Sequence, residues 1–408
     1  MTMTIDEARQ RDAADPLRAF RARFDLPPGI VYLDGNSLGP LPRATRDRVA
    51  DMVDRQWGRD LIAAWNDHGW IDAPRRIGAK IAALIGSAED EVMVADSTSV
   101  NIFKLLTAAA RANPGRREIL AEAANFPTDL HIAAGVADLL GLTLVTASPD
   151  DLADAMGAHT AAVILPHVHY RSAARYDMAA MNARAQTAGT HIVWDLSHSA
   201  GAVPVDSSGC GTMLAVGCGY KFLNGGPGAP AFVHVAREWQ DRLHNPLQGW
   251  LGHKAPFDFA DAYEPAPGMG RWQAGTPPML SMAALESGVD LMLEADMDAL
   301  FAKSAALFDA FAARMAEKCP ALTLASSREA ERRGSHISFL HEDAFPIVQA
   351  AIARGVIGDF RTPDIARFGL TPLYTGFEDI VRAADTIAEV IATGTWREAR
   401  FRKRGAVT

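Results

Sequence analysis

The sequence predicts an α/β protein with a large domain built on a mostly parallel central sheet and a smaller α/β domain at the C-terminal end. Three observations carry this reading. Between about residues 90 and 235, short apolar runs alternate with helical patterns, as a parallel sheet covered by helices requires. After about residue 278 the character changes to a long helical stretch and then a fresh alternation of strand and helix. At 408 residues the chain is long enough for more than one core.

In chain order, "ADSTSVNIFKLL" (95–106) opens an amphipathic helix, since Ile102, Leu105, Leu106 and Ala109 fall on one face. Strands follow at "REILAEAANF" (117–126), "LTLVTA" (142–147), "TAAVILP" (160–166), "HIVWDL" (191–196) and "TMLAVGCG" (212–219). The Pro-rich "APFDFADAYEPAPGMG" (255–270) reads as an ordered loop or linker between the lobes. "MLSMAALESGVDLMLEADMDALFAK" (279–303) predicts one long helix, "SHISFLH" (335–341) a strand, and "DIVRAADTIAEVIATG" (379–394) a helix. The expected division is an N-terminal segment over 1–30 packing with the small domain, a large domain over 31–285 and a small domain over 286–408. The basic end "WREARFRKRG" (396–405) reads as a solvated tail.

Composition narrows the function. Apolar residues make up 49% of the chain and charged residues 22%, an ordinary globular balance, and a net charge of -9 argues against a nucleic-acid surface. No stretch approaches the roughly 18 to 20 unbroken apolar residues of a membrane span, so no membrane partner is expected. Cys210, Cys218 and Cys319 have no zinc-type spacing, and the N-terminal stretch has no apolar signal core, so a cytoplasmic protein is expected. His167 and His169 alternate as metal ligands can, yet nothing completes a set, and no metal is assigned.

The chemistry centres on "GYKFLNGGPG", where Lys221 follows an apolar strand and enters a glycine-rich loop. A lysine in an apolar setting is costly because desolvation disfavours its ammonium, and the neutral amine is a nucleophile toward aldehydes. The order is wrong for a nucleotide loop, which places lysine after its glycines. Asp195 ends the strand "HIVWD"; a carboxylate there caps the following turn or holds the ring nitrogen of pyridoxal phosphate protonated. Ser97, Thr98 and Ser99 precede a helix and offer hydroxyls and backbone N–H groups to a phosphate, or serve simply as caps. Phe126 is a candidate to stack on a cofactor ring.

Taken together, "YLDGNSLGPLP", "STSVN", "NFPTD", "WDLSHSAG", "GYKFLNGGPGAP", "GWLGH", "GTPP" and "RFGLTPLYTGF", which span about residues 31 to 380, resemble the kynureninase family in order and spacing. The resemblance implies the fold-type-I architecture of pyridoxal-phosphate enzymes, a homodimer with shared active sites, and hydrolysis of L-kynurenine to anthranilate and L-alanine in tryptophan catabolism. It also assigns roles. Lys221 would bond to the cofactor's aldehyde, Tyr220 would move protons near the phosphate, and Asp195 would pair with the pyridine nitrogen beside His198. Thr98 and Ser99 would bind the phosphate, Phe126 would stack on the ring and Asp129 would support it. Trp250 and Thr276 would reach the phosphate in the other subunit's site, and Arg367 would hold the substrate's α-carboxylate. Asn36, Ser37, Trp65 and His68 are further substrate-binding candidates. Where animal members tend to carry Ser-Asn before the paired prolines, this chain has Gly275 and Thr276, a bacterial-looking choice. The competing readings are a cysteine desulfurase or class V aminotransferase of the same fold, and a non-catalytic cofactor-binding regulator, for whose DNA-binding domain the chain leaves no room.

Overall fold

The computed structural model describes residues 2–405, which divide into two compact units. The larger unit runs from Thr45 to Tyr170 and from Tyr176 to Leu293. The smaller takes in the chain up to Ala44, the short stretch Arg171–Arg175 and the chain from Glu294 onward.

In the larger unit, seven strands form one sheet: β1 (Val92–Val94), β2 (Glu118–Glu122), β3 (Thr143–Ala147), β4 (Thr160–Pro166), β5 (Ile192–Asp195), β6 (Leu214–Gly217) and β7 (Phe232–Val235). Their order is β1-β7-β6-β5-β4-β2-β3. All neighbouring pairs from β6 to β3 are parallel, and β7 alone runs against both of its neighbours. Since β7 is antiparallel to β6 and to β1, strand β1 points the same way as the parallel set. The carboxyl ends of six strands therefore share one edge, where open α/β sheets place their ligands.

The sequence explains why these segments are strands. Every residue of β4 is buried, and such a continuous apolar run is what a strand covered on both faces needs. The helix Thr98–Ala112 lays Ile102, Leu105, Leu106 and Ala109 into one core with Ile119, Ile164, Val193, Val216 and Val233. Gly141 ends the helix Pro127–Leu140 at φ 66°, a left-handed conformation that glycine adopts without a steric penalty. The Pro-rich segment is an ordered excursion of this unit. Short 3-10 turns at Pro256–Asp258 and Gly268–Trp272 and a bridge from His253 to Pro265 hold it.

The single helix expected over 279–303 is two helices, Met279–Leu293 and Met297–Lys318. Asp296 caps the second, its carboxylate accepting from the Ala299 N–H at 2.7 Å. Helical periodicity persists across the break, so the pattern conceals it. The change of unit falls at the same place.

The smaller unit has a four-stranded antiparallel sheet, ordered Asp359–Arg361, Ile365–Gly369, His336–Leu340, Thr323–Leu324. A parallel pair joins Val31–Tyr32 to Val356–Ile357. Phe311, Phe339 and Phe368 meet edge to face with centroids 5.5 to 6.4 Å apart, a favoured arrangement of ring quadrupoles. Helix Ile5–Ala14, opened by a capping box between Thr4 and Glu7, packs on helix Phe377–Thr393. The basic C-terminal end is not a solvated tail. Trp396 and Phe401 are each only 7% exposed and belong to this core, while Arg397 and Arg400 lie over their rings. Two aromatic anchors outweigh the tendency of a charge run to stay in water.

Candidate active site

At the shared edge of the larger unit, Lys221 comes four residues after β6 ends and is 9% exposed. The loop that follows folds back so that the Gly225 N–H donates to the Gly219 carbonyl at 2.9 Å. A Cβ on Gly225 would lie 2.7 Å from that carbonyl oxygen, so the close approach requires glycine. Lys221 Nζ lies 3.1 Å from His198 Nε2, 5.7 Å from the centroid of Phe126 and 5.8 Å from that of Tyr220. His198 sits in the turn after β5. Phe126 opens the helix Pro127–Leu140 after β2. Three strand ends thus bring these four residues together.

Beneath them is a buried acidic group. Asp195, at the last position of β5, is 8% exposed, and its Oδ1 accepts from the Ser197 N–H at 2.8 Å. It therefore does cap its turn. Ser197 Oγ in turn accepts from the Cys218 N–H at 3.2 Å, tying the β5 and β6 loops to each other. Asp129 is 1% exposed with no hydrogen-bond partner on either carboxylate oxygen. Burial, and then the charge of Asp195, push Asp129 well above the usual carboxylate range. Glu122, at the end of β2, is pushed up to about 7 by burial. A buried acid with unsatisfied oxygens is expensive, and a hydrogen-bond donor or cation set against it relieves the cost. A protonated pyridine ring between Lys221 and these acids fits that requirement.

Next to this group a cleft of about 490 Å³ is lined by Val94–Ser97, Tyr220, Pro227–Pro230, Gln273–Pro278 and Met282. Ser97 caps the helix Thr98–Ala112 by accepting from the Val100 N–H at 3.4 Å, which puts Thr98 and Ser99 in the helix's first turn. A fifteen-residue helix beginning at a cleft presents unpaired N–H groups and a positive dipole end to an anion. The cofactor therefore fits this chain at both its ring and phosphate ends. Thr276 is exposed and lines the same cleft of its own chain. Trp250, in a turn at Trp250–Gly252, is 44% exposed and meets Phe257 edge to face at 5.7 Å.

Trp65 and His68 lie elsewhere in the unit. Trp65 packs on Trp70 at 5.7 Å, and His68 Nε2 is 2.6 Å from Asp60 Oδ2. His68 lines a second cavity of about 320 Å³ with Gln56, Trp70 and Arg76, and Met282 lines both cavities.

The remaining candidates are together in the smaller unit. Arg367 is 1% exposed, and its Nε donates to Asp359 Oδ1 at 2.7 Å while Nη2 donates to Oδ2. Although burial alone would raise Asp359, the Arg367 guanidinium draws it down to about 2. Ser37 Oγ donates to Asp359 at 2.8 Å and accepts from Arg367 Nη2 at 3.0 Å. Asn36 is fully buried with no hydrogen-bond partner for its side-chain amide. Asp34 is pushed up to about 7 by burial and then by Asp359. Sequence reasoning named Asp359 as a possible partner of Arg367 but took such a pair to be a surface one, and it missed Asp34. It also missed Lys104, which is fully buried, because Lys104 falls on the side of the predicted helix opposite Ile102, Leu105, Leu106 and Ala109 and so reads as a solvent-facing lysine.

The fold is that of the fold-type-I pyridoxal-phosphate enzymes, and solved structures of low identity share it. A cysteine desulfurase from Thermococcus onnurineus NA1 matches with a TM-score of 0.77 at 16% identity, covering 92% of this chain and 98% of that one. The cystine lyase C-DES, in a variant with glycine covalently linked to its PLP cofactor, matches with a TM-score of 0.78 at 17% identity, covering 90% and 99%. Sequence separates the families within the class. A kynureninase from Burkholderia mallei (strain SAVP1) is 47% identical over 415 residues, covering 99% of this chain and all of that protein. One from Pseudomonas fluorescens is 46% identical over 414 residues, with the same coverage. The family described as the kynureninase C-terminal domain matches residues 300–387. The chain belongs to the kynureninase family.

Proposed function

We propose that this chain hydrolyses L-kynurenine to anthranilate and L-alanine with pyridoxal phosphate, as a cytoplasmic homodimer serving tryptophan catabolism. The observation that carries the reading is the placing of Lys221 Nζ against His198 and Phe126, above the buried Asp129 and Asp195. When bound, pyridoxal phosphate supplies an aldehyde for the substrate's amino group and a ring that withdraws electrons from bonds at the α-carbon.

The chain's residues do the rest. Asp195 would hold a proton on the ring nitrogen, because an adjacent anion favours the cation, and Asp129, whose burial favours its neutral form, would support it as a hydrogen-bonding neighbour. Phe126 covers one face of the ring. Thr98, Ser99 and the helix start hold the phosphate. With the cofactor bound, Lys221 would serve as the base for the substrate's α-proton and Tyr220 as the proton donor to the three-carbon remainder that becomes alanine, while water supplies the hydroxyl that ends in the anthranilate carboxylate. Arg367, whose Nε and Nη2 are held by Asp359, would attract the α-carboxylate by its charge, with Asn36 and Ser37 beside it. Trp65 and His68 remain candidates for the aryl end of the substrate only through the family resemblance, since His68 lines the second cavity and Trp65 packs on Trp70. Trp250 and Thr276 complete the phosphate site of the second copy; the exposure of Trp250, Phe257 and Phe259, at 44%, 61% and 78%, is apolar surface that a partner copy would cover.

A desulfurase would need a reactive thiol. Cys218 and Cys319 are buried, and burial pushes the Cys319 thiol up to about 11 and raises Cys210 as well. Borohydride reduction of the loaded protein followed by peptide mapping tests the site, with the label expected on Lys221. Parallel assays with L-cysteine and with glutamate test the rival reactions, and sulfur release or amino-group transfer at a rate matching kynurenine cleavage would displace the reading.

A further inference from the structure

Lys104 is buried in the helix Thr98–Ala112, and its position marks it for a function. It is 0% exposed on a helix buried on nearly every side, with Asn101, Thr107 and Ala108 as its neighbours one turn away. Its Nζ forms an ion pair with Asp96 at 2.5 Å and donates to the Trp272 carbonyl at 2.7 Å. Burial alone drives a lysine toward its neutral form, and Asp96 opposes that drive. A charge held in such a place costs more than an apolar residue of similar size would.

One partner of Lys104 lines the 490 Å³ cleft and the other adjoins a segment that does. Asp96 lines it directly, in the turn that leads into Ser97, Thr98 and Ser99. Asp96 adopts φ 48°, a left-handed conformation rare outside glycine, and its carbonyl accepts from the Ala231 N–H at 2.9 Å. Trp272 immediately precedes Gln273–Pro278, which also line the cleft. One ammonium group thus fastens the two segments to each other. It also neutralises a carboxylate that stands two residues before Thr98, the first of the hydroxyls read as phosphate ligands.

We propose that Lys104 is a positioning residue for the phosphate end of the cofactor site, cancelling the charge of Asp96 and fixing the 95–99 turn against the 272–278 segment. This rests on the reading that Thr98 and Ser99 hold the phosphate. Without Lys104 the Asp96 charge would face a dianion at short range in a partly desolvated cleft.

The test is equilibrium dialysis of the holoenzyme and its variants against pyridoxal phosphate and, separately, against pyridoxal, which lacks the phosphate. Lys104→Gln keeps a donor for the Trp272 carbonyl and removes the charge; it should reduce the preference for pyridoxal phosphate over pyridoxal by roughly tenfold or more. Adding Asp96→Asn should restore most of that preference, which a merely structural role for Lys104 would not produce. An unchanged preference in Lys104→Gln, or a double variant no better than the single, overturns the proposal. Thr98→Val separates the two levels. If it leaves the preference intact, the phosphate lies elsewhere and both readings fall; if it lowers the preference while Lys104→Gln does not, only the role of Lys104 falls.

Discussion

Lys221 and Asp195 were legible as strand-end positions because the first follows an apolar strand and the second closes one, whereas the roles proposed for them came from the family resemblance. Their chemistry depends on neighbours distant in sequence, and that part was not legible from local pattern: Asp129 without hydrogen-bond partners, or Lys104 inside a helix face, becomes visible only once the strands are assembled. Lys221→Ala should abolish kynurenine cleavage while leaving thermal unfolding close to that of the native protein, since it removes the amine rather than core packing. Glu122 supports a prediction about pH. Burial raises it from an ordinary value of 4.5 to about 7, so the folded state keeps a proton that the unfolded chain releases earlier. The stability tied to this group is complete below its unfolded value and is lost as pH rises through about 7. Glu122→Gln should therefore gain in Tm relative to the native protein between about pH 5 and about pH 8. A Tm difference that is the same at both pH values would show that Glu122 titrates normally.

Among the elements, the parallel strands were read with little error because each is a short apolar run bounded by polar turns. The failures share a cause: local pattern does not report tertiary contact. The break at Glu294–Asp296 lies within uninterrupted helical periodicity, and only the cap made by Asp296 marks it. The C-terminal end looked solvated because arginines dominate its composition, yet Trp396 and Phe401 anchor it in the core of the smaller unit. Trp396→Ala should cost on the order of 3 to 5 kcal/mol in denaturant unfolding, where a true tail would cost almost nothing. The 273–278 segment bears on specificity. A Cβ placed on Gly275 would meet nothing within 4 Å, so no side chain fills that space, and Thr276 carries no amide. A ring hydroxyl left without a partner costs about 1 to 3 kcal/mol, so kcat/KM for L-kynurenine should exceed that for 3-hydroxykynurenine by roughly tenfold. Equal values would mean that another group, such as His68, supplies the partner.

For the whole molecule, the account requires two chains. In the proposed dimer, Lys221→Ala and Trp250→Ala would each damage a different part of a shared site. Mixing the two inactive proteins should regenerate activity through heterodimers that hold one intact site, and demonstrated subunit exchange with no recovery would show that each chain supplies its whole site. The central claim is that the Lys221 site cleaves kynurenine hydrolytically, and the most direct measurement of it quantifies both products from one reaction of the loaded enzyme with L-kynurenine. The account predicts anthranilate and L-alanine in equal amounts from the native protein and neither from Lys221→Ala. Anthranilate without matching alanine, or equal amounts of both from the Lys221→Ala protein, would contradict it.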